Sequence, residues 1–140
     1  MEPILRQFKT TVLVCDEPTI TGRIYPFKET KVAIKKNKAL KELLLNNMLF
    51  GNYITEIIAK ENLNDIKNIA FRVDKLYWHG KKLMANVSLL NTPQGRIVDN
   101  MMNLDANVIL TIAGTGDVDP ETNKVSNYKL ENFYMIEETN

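Results

Sequence analysis

Ile69-Ala70-Phe71-Arg72-Val73-Asp74-Lys75-Leu76-Tyr77-Trp78-His79-Gly80-Lys81-Lys82-Leu83-Met84-Ala85-Asn86-Val87-Ser88-Leu89 decides how this chain folds. Ile69, Phe71 and Val73 recur at period two, as do Leu83, Ala85, Val87 and Leu89, which is the spacing of a strand with one buried face. His79-Gly80-Lys81 between the two runs supplies a tight turn, so the stretch predicts an antiparallel hairpin.

Upstream, Thr10-Thr11-Val12-Leu13-Val14-Cys15 is rich in β-branched residues and predicts a strand, closed by Asp16-Glu17-Pro18. Thr19 to Pro26 holds a glycine and a proline around a short apolar pair and reads as a structured loop. From Val32 to Met48, apolar residues at Val32, Ile34, Ala39, Leu40, Leu43, Leu44 and Met48 predict one helix with its lysines in water, ending near Asn46-Asn47. Leu49 to Ile58 has no clean period and fits strand or helix, and Asn62-Leu63-Asn64-Asp65 looks like a turn.

Downstream, Asn91-Thr92-Pro93 marks a helix start. A Thr92 or Asn91 oxygen can accept from unpaired amides, and a proline in the first turn loses no hydrogen bond. Ile97, Val98, Met101 and Met102 carry that helix to a stop before Asp105. Ala106 to Ile112 is almost wholly apolar and predicts a buried strand, followed by turns at Gly114-Thr115-Gly116-Asp117 and Asp119-Pro120-Glu121-Thr122-Asn123. Tyr128 to Ile136 predicts a final strand, with Leu130 and Tyr134 to one side of it or nearby. A chain of 140 residues fits one domain, 1–140, with a polar tail frayed over 137–140.

Eighteen Lys and Arg against seventeen Asp and Glu leave a net charge of +1, which gives the whole chain no strong attraction for nucleic acid. Lys31, Lys35, Lys36, Lys38 and Lys41 form the best basic cluster and read as a solvated helix face. No apolar run approaches membrane-spanning length, and the start Met1-Glu2-Pro3-Ile4 lacks the pattern of a secretory signal, so the expectation is a soluble protein working where it is made. The single cysteine, Cys15, excludes an intrachain disulfide and a thiolate zinc cluster.

Candidate chemistry is sparse. His79 is the sole histidine and Ser88 and Ser126 are the only serines, so a general base and a nucleophile have few ways to meet. Gly114-Thr115-Gly116 lacks the lysine and hydroxyl spacing of a phosphate loop and leads into Asp117, which repels anions. Asp117, Asp119 and Glu121 alternate like oxygen ligands, yet the later glycine and closing glutamate of a calcium loop are missing, so they read as a solvated loop. Tyr25, Tyr53, Tyr77, Trp78, Tyr128 and Tyr134 form no ladder and suit an interface.

Three segments in order carry a resemblance. Gly22-Arg23-Ile24-Tyr25-Pro26, then Val73 to Gly80 with its Tyr77-Trp78 pair, then Leu89-Leu90-Asn91-Thr92-Pro93-Gln94-Gly95-Arg96 resemble the prohead (capsid maturation) protease family of tailed bacteriophages. That family shows an N-G-R-I-Y-P loop, a strand ending in a Trp-Trp or Tyr-Trp pair, and an L-x-T-P-x-G-x helix start. The resemblance spans roughly Thr19 to Ile136. It implies an α+β fold like herpesvirus assemblins: a compact, mainly antiparallel β-barrel with flanking helices. The family's G-E-L-D-H-P segment has its counterpart in Gly51-Asn52-Tyr53-Ile54-Thr55-Glu56, with Thr55 at the histidine position. Its S-S-R-G-x-G segment has its counterpart in Thr111-Ile112-Ala113-Gly114-Thr115-Gly116, which keeps both glycines and loses both serines and the arginine.

A Thr111 hydroxyl without a neighbouring base stays protonated and is a poor nucleophile. No shift of the alignment can supply a histidine between Pro26 and Phe71. The resemblance with its chemistry removed implies a protein that is not an enzyme, without catalytic, cofactor-binding or metal-binding residues. The expected role is an auxiliary virion protein that binds the major capsid protein of the shell, with neighbouring copies of itself as further partners and no specific nucleic acid or membrane. Its expected location is the virion capsid, assembled in the host cytoplasm. Two other roles are an active protease with a rearranged site using His79, and an internal scaffold or core component.

Overall fold

The structure, a computed structural model, describes residues 3–54 and 68–137. The expected hairpin is its centre. Strands β3 (Ile69–His79) and β4 (Lys82–Leu90) pair antiparallel with Phe71 opposite Leu89 and Val73 opposite Val87. The turn is Gly80-Lys81, and Gly80 takes a φ of +60°, a left-handed conformation that costs glycine nothing. A register shift between Val73 and Lys75 moves the inward side from odd to even numbers, so Leu76 and Trp78 continue the apolar face begun by Phe71 and Val73. Leu83, Ala85, Val87 and Leu89 are all fully buried. Each large member of this row contributes about 1.5–3 kcal/mol through its removal from water.

Strand β1 (Ile4–Val14) pairs with β4 along nearly its whole length. It begins well before the expected Thr10, because pairing with a long, well-buried neighbour extends the mixed polar segment Ile4 to Lys9 that composition alone leaves undecided. The loop after β1 is structured as expected, with Gly22 at φ +83° and Ile24 bridged to Pro18 and Lys124.

The single helix expected over Val32 to Met48 is instead two, α1 (Phe27–Lys36) and α2 (Lys38–Leu45). Asn37 makes the break. Its φ of −77° and ψ of 94° are extended, its Oδ1 accepts from the Leu40 N–H at 3.1 Å, and its Nδ2 donates to the Leu130 carbonyl at 2.9 Å. The chain then turns through Asn47, at φ +55°, into β2 (Phe50–Tyr53), which resolves the ambiguous stretch as strand up to Tyr53. The rest of that stretch, Thr55, and the turn expected at Asn62 to Asp65 lie outside the described residues.

Helix α3 (Pro93–Asn103) starts and stops where expected. Thr92 Oγ1 accepts from the Gly95 N–H at 3.0 Å and donates to the Ile69 carbonyl at 2.5 Å, so the cap also fastens the helix to β3. Gly95 lies directly on the strands: a Cβ there would fall 1.8 Å from the Leu90 carbonyl oxygen.

Two further expectations need correction. The buried strand expected over Ala106 to Ile112 is instead β5 (Val108–Val118), an edge strand whose only buried residue is Leu110. Gly114 to Asp117 does not turn but continues β5, with irregular register on either side, and the reversal comes at Asp119 to Asn123. Strand β6 (Val125–Glu137) therefore starts earlier than Tyr128. Its buried residues run Val125, then Tyr128 and Leu130, then Phe133 and Met135, the phase slipping by one at each irregularity in the pairing with β5, and Tyr134 is half-buried. Residues 138–140 of the expected frayed tail lie outside the described residues, while Glu137 ends β6.

The six strands form one sheet in the order β1-β4-β3-β2-β6-β5, antiparallel throughout except for the parallel pair β2 and β6. This is a compact α+β fold in which the sheet curls into a half-barrel and brings edge strands β1 and β5 towards each other. Helix α3 packs on β3 and β4, and α1 packs on β6 through Thr30 and Ile34. No described helix is long and apolar enough to cross a membrane.

Candidate functional groove

Between the facing edges of β1 and β5 lies a groove of about 470 Å³, lined among others by Thr11, Leu13, Arg23, Tyr25, Thr111 and Tyr128. Each wall follows from the fold. β1 and β5 are paired on one side only, so their outer edges face the groove. The loop containing Gly22-Arg23-Ile24-Tyr25 closes one end, held there because the Ile24 N–H donates to the Asn123 carbonyl and its carbonyl accepts from the Val125 N–H, both at 2.8 Å. Gly114 keeps the β5–β6 wall close: a Cβ there would sit 2.0 Å from the Lys129 carbonyl oxygen and 2.9 Å from the Tyr128 hydroxyl.

Tyr25 and Tyr128 meet edge to face with ring centroids 5.1 Å apart. Tyr128 is 9% exposed, and its buried hydroxyl has no hydrogen-bond partner among the described residues. Burial pushes its phenol far above the ordinary range, and Tyr25 beside it adds to the shift, so the group stays a neutral donor. Tyr128→Phe is expected to change stability by no more than about 1 kcal/mol, since it deletes a desolvated hydroxyl together with its polar contact to Tyr25. Thermal denaturation of the purified variant measures this.

Among the described residues lining the groove, Arg23 is the only one with a charged side chain, and none is a histidine, aspartate, glutamate or serine. Thr111 does line it, at the position the resemblance assigns to the protease serine. The structure does not bring His79 to it. His79 is exposed at the hairpin turn opposite Lys82, and Ser88 lies opposite Arg72, six residues further along β4, about 20 Å at strand rise.

Ser88 is fully buried and committed elsewhere: its Oγ donates to Asp74 Oδ2 at 2.5 Å and accepts from Gln7 Nε2 at 3.1 Å. Asp74 Oδ1 in turn accepts from Arg72 Nε at 2.7 Å, so the set is a closed polar bracket across β1, β4 and β3. Ser126 is exposed opposite Asp117 in the β5–β6 hairpin.

The other singled-out residues have structural places. Burial pushes the Cys15 thiol up to about 11, with Asp16 adding to the rise against Lys81, so it is not a thiolate near neutrality. The Lys81 ammonium, 2.9 Å from Asp16, and the Phe27 N–H hold the Asp16 carboxyl below the usual range, which pins the hairpin turn to the start of α1. The amides of Gly114 to Gly116 belong to a strand rather than an anion-binding turn. Asp117 accepts from Asn127, Asp119 accepts from the Glu121 N–H, and no group of three or more His, Cys, Asp or Glu side chains converges among the described residues. In the sequence Tyr25 belongs to the Gly22 to Pro26 motif, and Tyr128 is one of several aromatics. Their partnership is made by the curl of the sheet, which no local signal announces.

No protein-family model and no curated protein matches the chain. Among solved structures, the bacteriophage T4 capsid assembly protease gp21 is similar over 93% of this chain and 80% of its own, with a TM-score of 0.77 and 15% sequence identity. What the chain shares with that capsid assembly protease is its fold, the curled sheet with its flanking helices.

Proposed function

We propose that this protein is a catalytically silent component of a tailed-phage virion that binds the major capsid protein and stabilises the shell. The observation that carries the reading is the chemistry of the groove, where Thr111 stands with no group among the described lining residues able to take its proton. A threonine hydroxyl is activated by an adjacent base or an N-terminal amine, and the one imidazole of the chain sits at the hairpin turn instead. Removing both nucleophile and base from a protease leaves at most binding and oxyanion assistance. Likeness of fold to a capsid assembly protease supplies the capsid context, and fold by itself carries no activity.

In this reading the groove is retained for recognition. Open edges of β1 and β5 can accept an extended segment of the shell protein by strand pairing, with Arg23 as a side-chain donor. Placement beside neighbouring copies of itself on a repeating shell lets a modest interface act through many sites. The protein then resides in the capsid, after assembly in the host cytoplasm.

Two measurements test this together. Purified protein incubated with unprocessed capsid protein should leave the partner full length, and mass spectrometry of mature particles should find the protein retained in fixed stoichiometry. Cleavage that disappears in His79→Ala overturns the silent reading. Presence in immature particles and loss from mature ones assigns the protein to the scaffold instead.

A further inference from the structure

Two exposed patches of this nearly neutral chain each carry an excess of one sign, with Glu42 among the lysines of the first and Lys124 beside the acids of the second. Lys35, Lys36, Lys38 and Lys41 crowd the α1–α2 junction, all exposed, beside Leu45 and Met48, which are 82% and 56% exposed. Asp117, Asp119 and Glu121 occupy the end of the β5–β6 hairpin, where the last five residues of β5 are exposed and Val118 among them is 38% exposed. None of these seven charged groups makes an ion pair within the chain among the described residues.

They cannot meet at home. The hairpin is fastened near the start of α1 by the Ile24–Asn123 and Ile24–Val125 hydrogen bonds, and α1 carries the junction about 15 Å away along its ten residues. Exposed leucine and methionine among the lysines favour a protein partner, because nucleic-acid faces interleave cations with stacking aromatics.

We propose that copies of this chain associate head to tail, the acidic β5–β6 hairpin of one seated on the basic, apolar α1–α2 junction of the next. The two surfaces differ, so copies joined by one such contact extend into a ring or an open row, while two copies that exchange both contacts close into a pair. This deepens the shell-binding reading by naming where neighbouring copies touch, yet it is read on purified protein without capsid, so failure of one is distinguishable from failure of the other.

Sedimentation velocity tests it at about 0.01 M and about 1 M salt, where the screening length falls from about 30 Å to about 3 Å. The wild type should associate at low salt and return to monomer at high salt. Lys35→Glu/Lys41→Glu and Asp117→Lys/Glu121→Lys should each weaken association at least about tenfold, because like charges then face each other. Asp119 is left in place because it holds the turn. The chain carrying all four reversals should regain association, which a merely misfolded variant could not do, and far-UV circular dichroism checks each fold. A monomeric wild type at low salt, unweakened two-site variants, or no recovery in the four-site variant each overturns the proposal. So does a wild type that stays monomeric and binds single-stranded DNA through the same lysines.

Discussion

Phe71→Ala is expected to cost about 3–5 kcal/mol, a large share of the roughly 5–15 kcal/mol that stabilises a typical domain. Phe71 is wholly buried, pairs with Leu89 across the central hairpin, and presses its ring on Gly51 so closely that a Cβ there would lie 2.1 Å from Cζ. Alanine removes the ring and leaves a cavity that β2 and β3 cannot fill, because both are fixed by ladders to their neighbours. Urea denaturation followed by tryptophan fluorescence measures the loss, with Trp78 as the single reporter. A cost below about 1 kcal/mol would mean that this ring is not the centre of the core.

Gly95→Ala is the second large effect, and its sign is the informative part. In an exposed helix interior the change gains about 1 kcal/mol. Here the new Cβ would lie 1.8 Å from the Leu90 carbonyl oxygen and 2.9 Å from that of Ala70, two backbone atoms that cannot swing aside like a side chain. The helix cannot rise to relieve the clash, since the Thr92 cap ties its start to Ile69 and Val98 is fully buried one turn on. A net loss of about 1–3 kcal/mol is expected, read in the same denaturation experiment. Stabilisation by the alanine would refute the close seating of α3 on the sheet.

Those two sites lie in the part of the fold most legible in the sequence. The hairpin announced itself through period two and a glycine turn, and α3 through Thr92-Pro93, because both signals are local. The split between α1 and α2 was hidden: half of what holds Asn37 outside the helix is the Leu130 carbonyl, far away in the chain. β5 misled for a related reason. An apolar run such as Ala106 to Ile112 suggests a strand covered on both faces, whereas at the sheet edge part of that run, Ile109 to Ile112, lines an open groove. The groove itself has walls from strands near opposite ends of the chain, so its floor of Thr111 and Tyr128 could be seen only once the sheet had curled. Arg23, Tyr25 and Gly114 belong to the motifs of the resemblance, and the structure places all three on its lining.

β6 lies between β2 and β5, and β2 is its parallel neighbour, so the half-barrel is assembled from the chain's early strands and its last described one. As the polypeptide leaves the ribosome, β1 to β4 can pair first, but β2 then offers a bare, unpaired edge until Val125–Glu137 has emerged. A stalled or shortened nascent chain would expose that edge beside Phe50, already partly in water, and so invite aggregation.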